Sequence, residues 1–222
     1  MLKRIAWQVA LATLLMASPA LAQEKKVEVS VLGGWTFADG VEGQAVVTPS
    51  GVFDRIDPKD SFKWGLGLGI MVTENAEVGF LYGSQMTTLQ VSGTSTLDVG
   101  DSTISTYHGY FGYNWGASDA KARPYAFIGL GATNYSGVDF TRANGQPGTI
   151  GAETQFSTTW GAGLKFFASP SVGARFGVQW TPTFIKSDAA GYWCDPYWGC
   201  YLVGDAQYSN QWDIGGGITF RF

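Results

Sequence analysis

Tyr208-Ser-Asn-Gln-Trp-Asp-Ile-Gly-Gly-Gly-Ile-Thr-Phe-Arg-Phe222 decides the fold. Tyr208, Trp212, Ile214, Ile218, Phe220 and Phe222 share one parity, and Gln211, Asp213, Gly215, Gly217, Thr219 and Arg221 share the other. A period of two is a strand with one apolar and one polar face. This strand reaches the last residue of the sequence and ends on an aromatic side chain. The edge strand of a soluble sandwich has little reason to expose such a face. A strand that pairs back onto the first one and closes the sheet does.

The same alternation recurs upstream. Val172, Ala174, Phe176, Val178, Trp180 and Phe184 alternate with Gly173, Arg175, Gly177 and Gln179. Phe156, Trp160, Ala162, Leu164 and Phe166 alternate with Thr159, Gly161, Gly163 and Lys165. Over residues 124–135, Ile128, Leu130 and Ala132 read as outward. That phase puts Tyr125 and Phe127 inward, so a bulge that resets it is one option. Tyr107, Phe111, Tyr113 and Trp115 oppose His108, Tyr110, Gly112 and Asn114. Val78, Phe80, Tyr82 and Met86 oppose Glu77, Gly79, Gly83 and Gln85. Phe62, Trp64, Leu66, Leu68, Ile70 and Val72 form the clearest face, with rings at one end and aliphatic chains beyond, as a lipid-facing strand requires. The first strand is Val27 to Phe37, with Glu28 on its polar face.

Short turns (Glu74-Asn75, residues 116–123 and Ser169-Pro170-Ser171) alternate with long polar stretches at 38–61, 89–102, 136–153 and 186–207. Short connections at one end and long loops at the other predict an all-β, eight-stranded antiparallel up-and-down transmembrane β-barrel. An even strand count puts both termini at the same end.

Composition agrees. The 222 residues are 45% hydrophobic and 15% aromatic but only 14% charged. Residues 1–22 read as a secretory signal peptide: Lys3 and Arg4, an apolar run from Ile5 to Met16, then Ala20-Leu21-Ala22. Beyond it no apolar run reaches about 18 residues, the length a membrane-spanning helix needs. Residues 23–222 are therefore expected to form one barrel domain. Without Lys3 and Arg4, 12 basic residues face 18 acidic ones, a net charge of −6. An acidic chain with no basic cluster argues against nucleic acid as a partner. Cys194 and Cys200, downstream of an export signal, read as one disulfide. They bracket a small loop with Tyr197 and Trp198, which reads equally as a partner anchor or as part of an interfacial aromatic belt.

At this point the sequence resembles the small bacterial outer-membrane β-barrels, the family of the OmpA transmembrane domain and the porin-like opacity proteins. Gly217, Phe220 and Phe222 match the C-terminal insertion signal of that family. Arg123-Pro124-Tyr125 opening a glycine-rich strand and Trp160-Gly-Ala-Gly163 are similar too. The resemblance implies a location in the outer membrane of a Gram-negative cell, contact with outer-membrane lipid and delivery by the barrel-assembly machinery. It does not imply the peptidoglycan-binding domain that OmpA adds. Roles in the family range from structural and adhesive to solute-conducting and enzymatic, so fold implies location more than activity.

The inward charges are Glu28, Lys63, Glu77, His108, Lys165, Arg175, Asp213 and Arg221. An isolated buried charge is costly, so these should pair. They read either as a salt-bridge network that plugs the lumen or as a polar path for a small solute. Eight strands leave an interior just wide enough for side chains, which favours the plug; the inward glycines leave space, which favours the path. Barrel enzymes acting on lipid A use a His with Ser or Asp partners. Here Ser105 lies on the opposite face from His108, so His108 reads as a structural hydrogen bonder and no catalytic role is assigned. One His and two paired Cys make a poor metal set, and no cofactor is called for. The expected function is a structural or cell-surface interaction role with four external loops. A narrow porin-like channel is the alternative, and a lipid-modifying enzyme is the reading with least support.

Overall fold

The computed structural model describes residues 26–48, 51–141, 147–185, 191–195, 199–203 and 207–222; the signal peptide at 1–22 lies outside them. The strands are β1 (Val27–Ala38), β2 (Val41–Thr48), β3 (Gly51–Pro58), β4 (Ser61–Met71), β5 (Ala76–Gly93), β6 (Thr96–Asn114), β7 (Ala122–Tyr135), β8 (Val138–Thr141), β9 (Pro147–Ile150), β10 (Glu153–Phe167), β11 (Val172–Ile185), β12 (Gly191–Asp195), β13 (Gly199–Val203) and β14 (Gln207–Arg221).

Eight of these form a closed antiparallel ring in the order β1, β4, β5, β6, β7, β10, β11, β14 and back to β1. The closing seam sets Glu28 opposite Arg221, Val29 opposite Phe220 and Trp35 opposite Ile214. At its end the Phe222 N–H donates to the Val27 carbonyl at 2.9 Å, and the Val27 N–H donates to Phe222 at 3.2 Å. Closure leaves none of the eight ring strands with an unpaired edge inside the barrel wall.

Facing follows parity. Phe62, Trp64, Leu66, Leu68 and Ile70 of β4 project outward, while Lys63 and the glycines between them point in. Tyr125 and Phe127 face inward, buried, and β7 pairs with both β6 and β10 without a register shift, so the phase-resetting bulge does not occur. The facing walls explain why. A Cβ at Gly161 would collide with the Phe127 ring, and one at Gly163 or Gly177 would sit 2.8 or 2.6 Å from the Tyr125 hydroxyl. Large inward rings on β7 occupy space that the inward glycines of β10 and β11 leave open.

The long polar stretches carry more strand than expected. β5 and β6 run past the ring to a two-residue connection at 94–95, and Thr88 donates to Asp101 at 2.9 Å across the extension. Their Thr and Val content suits a half-exposed pleated surface. The β2–β3 hairpin pairs onto this extension, with Ile56 opposite Val91. Arg55 bonds Asp57 at 2.6 Å and Asp39 at 2.5 Å, and Lys59 bonds Asp98 at 2.8 Å. The hydrogen bond to Asp57 and the two nearby carboxylates raise the Arg55 guanidinium above its ordinary value against a small cost of burial. β8 pairs with β9, and β12 with β13, as separate hairpins. At the opposite end the connections are tight: Thr73 Oγ1 accepts from the Ala76 N–H at 2.9 Å, Ser169 Oγ accepts from the Val172 N–H at 3.1 Å, and Gly116 takes a φ of 93°.

Candidate functional site

The polar interior is layered. Nearest the tight turns, Lys165 of β10 sits between two carboxylates, 2.6 Å from Glu28 of β1 and 2.7 Å from Glu77 of β5. Arg221 of β14 donates to the other Glu28 oxygen through Nη2 at 2.7 Å and Nε at 3.1 Å, and its guanidinium lies 3.7 Å from the centre of the Phe167 ring. Glu77 also accepts from the Tyr110 hydroxyl and from Asn114 Nδ2 at 3.0 Å. Lys165, Glu28 and Glu77 are 1%, 2% and 4% exposed. Buried charges are tolerable when every partner is supplied, and here two cations meet two carboxylates with neutral donors filling the remaining lone pairs. Arg123 caps the layer by donating to the main-chain oxygens of Glu74 at 2.7 Å and of Asn114 and Gly116 at 3.4 Å.

Above this layer lies an aromatic one. Tyr110, Tyr125, Phe127 and Leu81 pack together with Leu32 against them. The Tyr110 and Phe127 rings meet edge to face at 5.6 Å, and the Arg175 guanidinium stands 4.7 Å from the Tyr125 ring centre. A cavity of about 90 Å³ opens beside Arg175 and reaches Lys63 and Asp213.

Towards the long loops the lumen becomes mostly neutral. Lys63 bonds Asp213 at 2.7 Å, and Thr36 donates to the same carboxylate at 2.5 Å. Beyond them runs a hydroxyl ladder: Thr183 donates to Thr133 at 3.0 Å, Thr133 donates to Ser157 at 3.0 Å, and Ser157 meets His108 Nε2 at 2.9 Å. Gln85 donates to Ser61 at 2.9 Å. A wider cavity of about 620 Å³ opens among Lys26, Lys121, Arg123 and Arg221 at the turn-end mouth, and one of about 470 Å³ lies among Lys59, Met86 and Asp101 beside the loop-end strands.

Each inward charge expected from the sequence points into the lumen, but they form separate groups. Glu28, Glu77, Lys165 and Arg221 join in one cluster, Lys63 and Asp213 in another, Arg175 stacks on Tyr125, and His108 bonds a serine. Arg123 was missed, although it shares parity with Tyr125 and Phe127. The His–Ser contact was missed as well, because Ser157 lies two strands away from His108 around the ring. Both residues are fully buried, and among the described residues His108 Nδ1 has no hydrogen-bond partner to orient it as a base. Among the described residues no group of three His, Cys, Asp or Glu side chains is placed to hold a metal. Of the terminal signal, Phe220 and Phe222 project outward, and Gly217 lies opposite Leu32 and Arg175. The backbone register sets Cys194 opposite Cys200 across β12 and β13; their side chains, with Tyr192 and Trp193, lie outside the described part, and Tyr197 and Trp198 fall outside the described residues.

A closed eight-stranded ring with an apolar exterior and a charged interior is an inside-out soluble core, suited to lipid. The family model of the outer membrane protein β-barrel domain matches residues 9–222. The chain belongs to that family. Its place is therefore the outer membrane. Among solved structures, the outer membrane protein OprG from Pseudomonas aeruginosa is similar, with 12% identity over 91% of this chain and 99% of that one and a TM-score of 0.57. Neisserial surface protein A is similar at 11% identity over 88% and 97% of the two chains, with a TM-score of 0.53. The outer membrane protein AlkL, determined in lipid bilayers, is similar at 13% identity over 92% and 94%, with a TM-score of 0.56. At these identities the likeness concerns the fold. No curated protein matches the chain.

Proposed function

We propose that this protein is a closed, non-conducting outer-membrane barrel with a structural or surface-interaction role. The observation that carries this reading is Lys165 locked between Glu28 and Glu77 across the lumen, 1% exposed, with Arg221 and Arg123 completing the seal. An ion crossing the barrel would have to part this cluster and the Tyr125–Phe127 layer above it. On this reading both termini and the tight turns face the periplasm, after cleavage near Ala22. The β2–β3, β8–β9 and β12–β13 hairpins and the β5–β6 extension face the exterior. Lipid surrounds the apolar band, and the barrel-assembly machinery inserts the chain through its C-terminal strand. A Cys194–Cys200 bond would staple the β12–β13 hairpin, which the opposed register supports; intact mass before and after reduction tests it. No catalysis is proposed, and lipid A mass spectra unchanged by deletion of the gene are the expected result.

Refolded protein in a planar bilayer tests the main reading, once a heat-dependent gel shift has established folding. A silent bilayer is expected. Steady, ion-selective openings would overturn the closed barrel and favour a narrow channel, for which the 90 Å³ cavity and the turn-end mouth are the supporting features. In that case Lys165→Met should change the current.

A further inference from the structure

Within the barrel wall five cations face three carboxylates, and the excess of two falls on Arg123 and Arg175. Glu28 and Glu77 are matched by Lys165 and Arg221, and Asp213 by Lys63. Arg123 lies at the turn end, where its Nη2 donates to three main-chain oxygens while its buried Nε has no partner among the described residues. Arg175 remains. It is 7% exposed, and among the described residues no carboxylate lies within 4.0 Å of its guanidinium. Its neighbour is Tyr125, whose ring face attracts the cation and whose hydroxyl accepts a hydrogen bond from it, neither of which neutralises the charge. Glu77 attracts Arg175 at longer range, but its oxygens already accept from Lys165, Tyr110 and Asn114. A buried guanidinium with no carboxylate beside it is costly.

The cavity beside it supplies a remedy. Its volume of about 90 Å³ compares with roughly 10–15 Å³ for one water, so several water-sized species fit. Arg175 lines it from the turn side and Lys63 from the loop side. Of the three protons on the Lys63 ammonium, one is given to Asp213, which leaves donors for a second acceptor. Asp213 also lines the cavity, but its two oxygens are taken by Lys63 and Thr36. Gly177 and Gly215 contribute backbone to the wall where side chains would otherwise fill the space.

We propose that this cavity is a binding site for a small inorganic monoanion, held by Arg175 with help from Lys63, which offsets the charge of Arg175. The site rests on the lumen geometry and not on whether the lumen conducts. Conductance decides the closed-barrel reading; the following measurements decide this one.

Crystals of the refolded protein soaked in bromide should give an anomalous peak inside the barrel, within hydrogen-bonding distance of the Arg175 guanidinium. Bromide confined to the outer surface, or a cavity filled by water alone, would overturn the site. In urea unfolding at constant ionic strength, with chloride exchanged for a bulky organic anion, the unfolding constant should fall about tenfold for each tenfold rise in chloride above the dissociation constant. Arg175→Met should abolish that dependence, and equal chloride responses in the two proteins would overturn the proposal. Should Arg175→Met fail to fold, the bromide measurement on the unmodified protein decides alone.

Discussion

Lys165 is the residue on which the lumen's charge balance turns. Lys165→Met keeps the aliphatic volume and removes the ammonium shared by Glu28 and Glu77. Arg221 still serves Glu28, whereas Glu77 is left with only neutral donors, Tyr110 and Asn114. Breaking one side of a buried ion pair costs about 3–5 kcal/mol, most of it the penalty of the stranded charge. We expect a loss of that size in urea unfolding from lipid vesicles. Adding Glu77→Gln should recover much of it, since the stranded charge is then gone. An unchanged midpoint for Lys165→Met would mean that the cluster does not hold the barrel together. The inward facing of Lys165, Glu28 and Glu77 was legible in the sequence, because parity along a strand is a local property. Their grouping was not. Which inward residues meet depends on how far each strand is staggered around the ring, and no single strand encodes that. His108 and Ser157 make the point, as partners separated by the whole of β7.

At the scale of the elements, the tight turns were plain in the sequence and the hairpins within the long stretches were not. Residues 38–61 read as loop because Gly40, Gly43, Pro49, Gly51 and Pro58 punctuate them. Yet those breakers fall at or near the ends of β2 and β3 apart from Gly43, and pairing of β3 onto β5 supplies the missing partner. A strand recruited by a neighbouring edge needs little intrinsic signal. The ring itself closes through β4–β5 and β5–β6 pairs that do not involve this hairpin. Replacing residues 41–57 by a short Gly/Ser linker should therefore leave the heat-dependent gel shift intact; a protein that no longer folds would mean that the hairpin belongs to the barrel's stability. The turn at Gly116 is less forgiving. Its φ of 93° suits glycine, and a side chain there costs roughly 1–2 kcal/mol. Gly116→Ala should lower unfolding stability by that amount without altering the surface that the long hairpins present.

For the whole molecule, the decisive contact is the one between its first and last strands, and Phe222 lets folding be separated from delivery. The closing hydrogen bonds with Val27 are made by the Phe222 main chain, which any residue can supply. Its ring points outward and is 54% exposed, adding nothing to the lumen clusters. The eight-stranded fold was readable from the sequence because this outward aromatic parity repeats from strand to strand. The terminal ring itself has only lipid and, on the proposed reading, the assembly machinery to meet. Phe222→Ser should thus refold in detergent almost as well as the unmodified chain, losing at most the roughly 1.5–3 kcal/mol that burial of one large apolar side chain contributes. In cells the same variant should reach the outer membrane at clearly reduced levels, measured by surface labelling against a whole-cell blot. Normal surface levels would remove the case for the C-terminal strand as an insertion signal. Failure to refold in detergent would instead assign Phe222 a part in closing the ring that its outward position does not suggest.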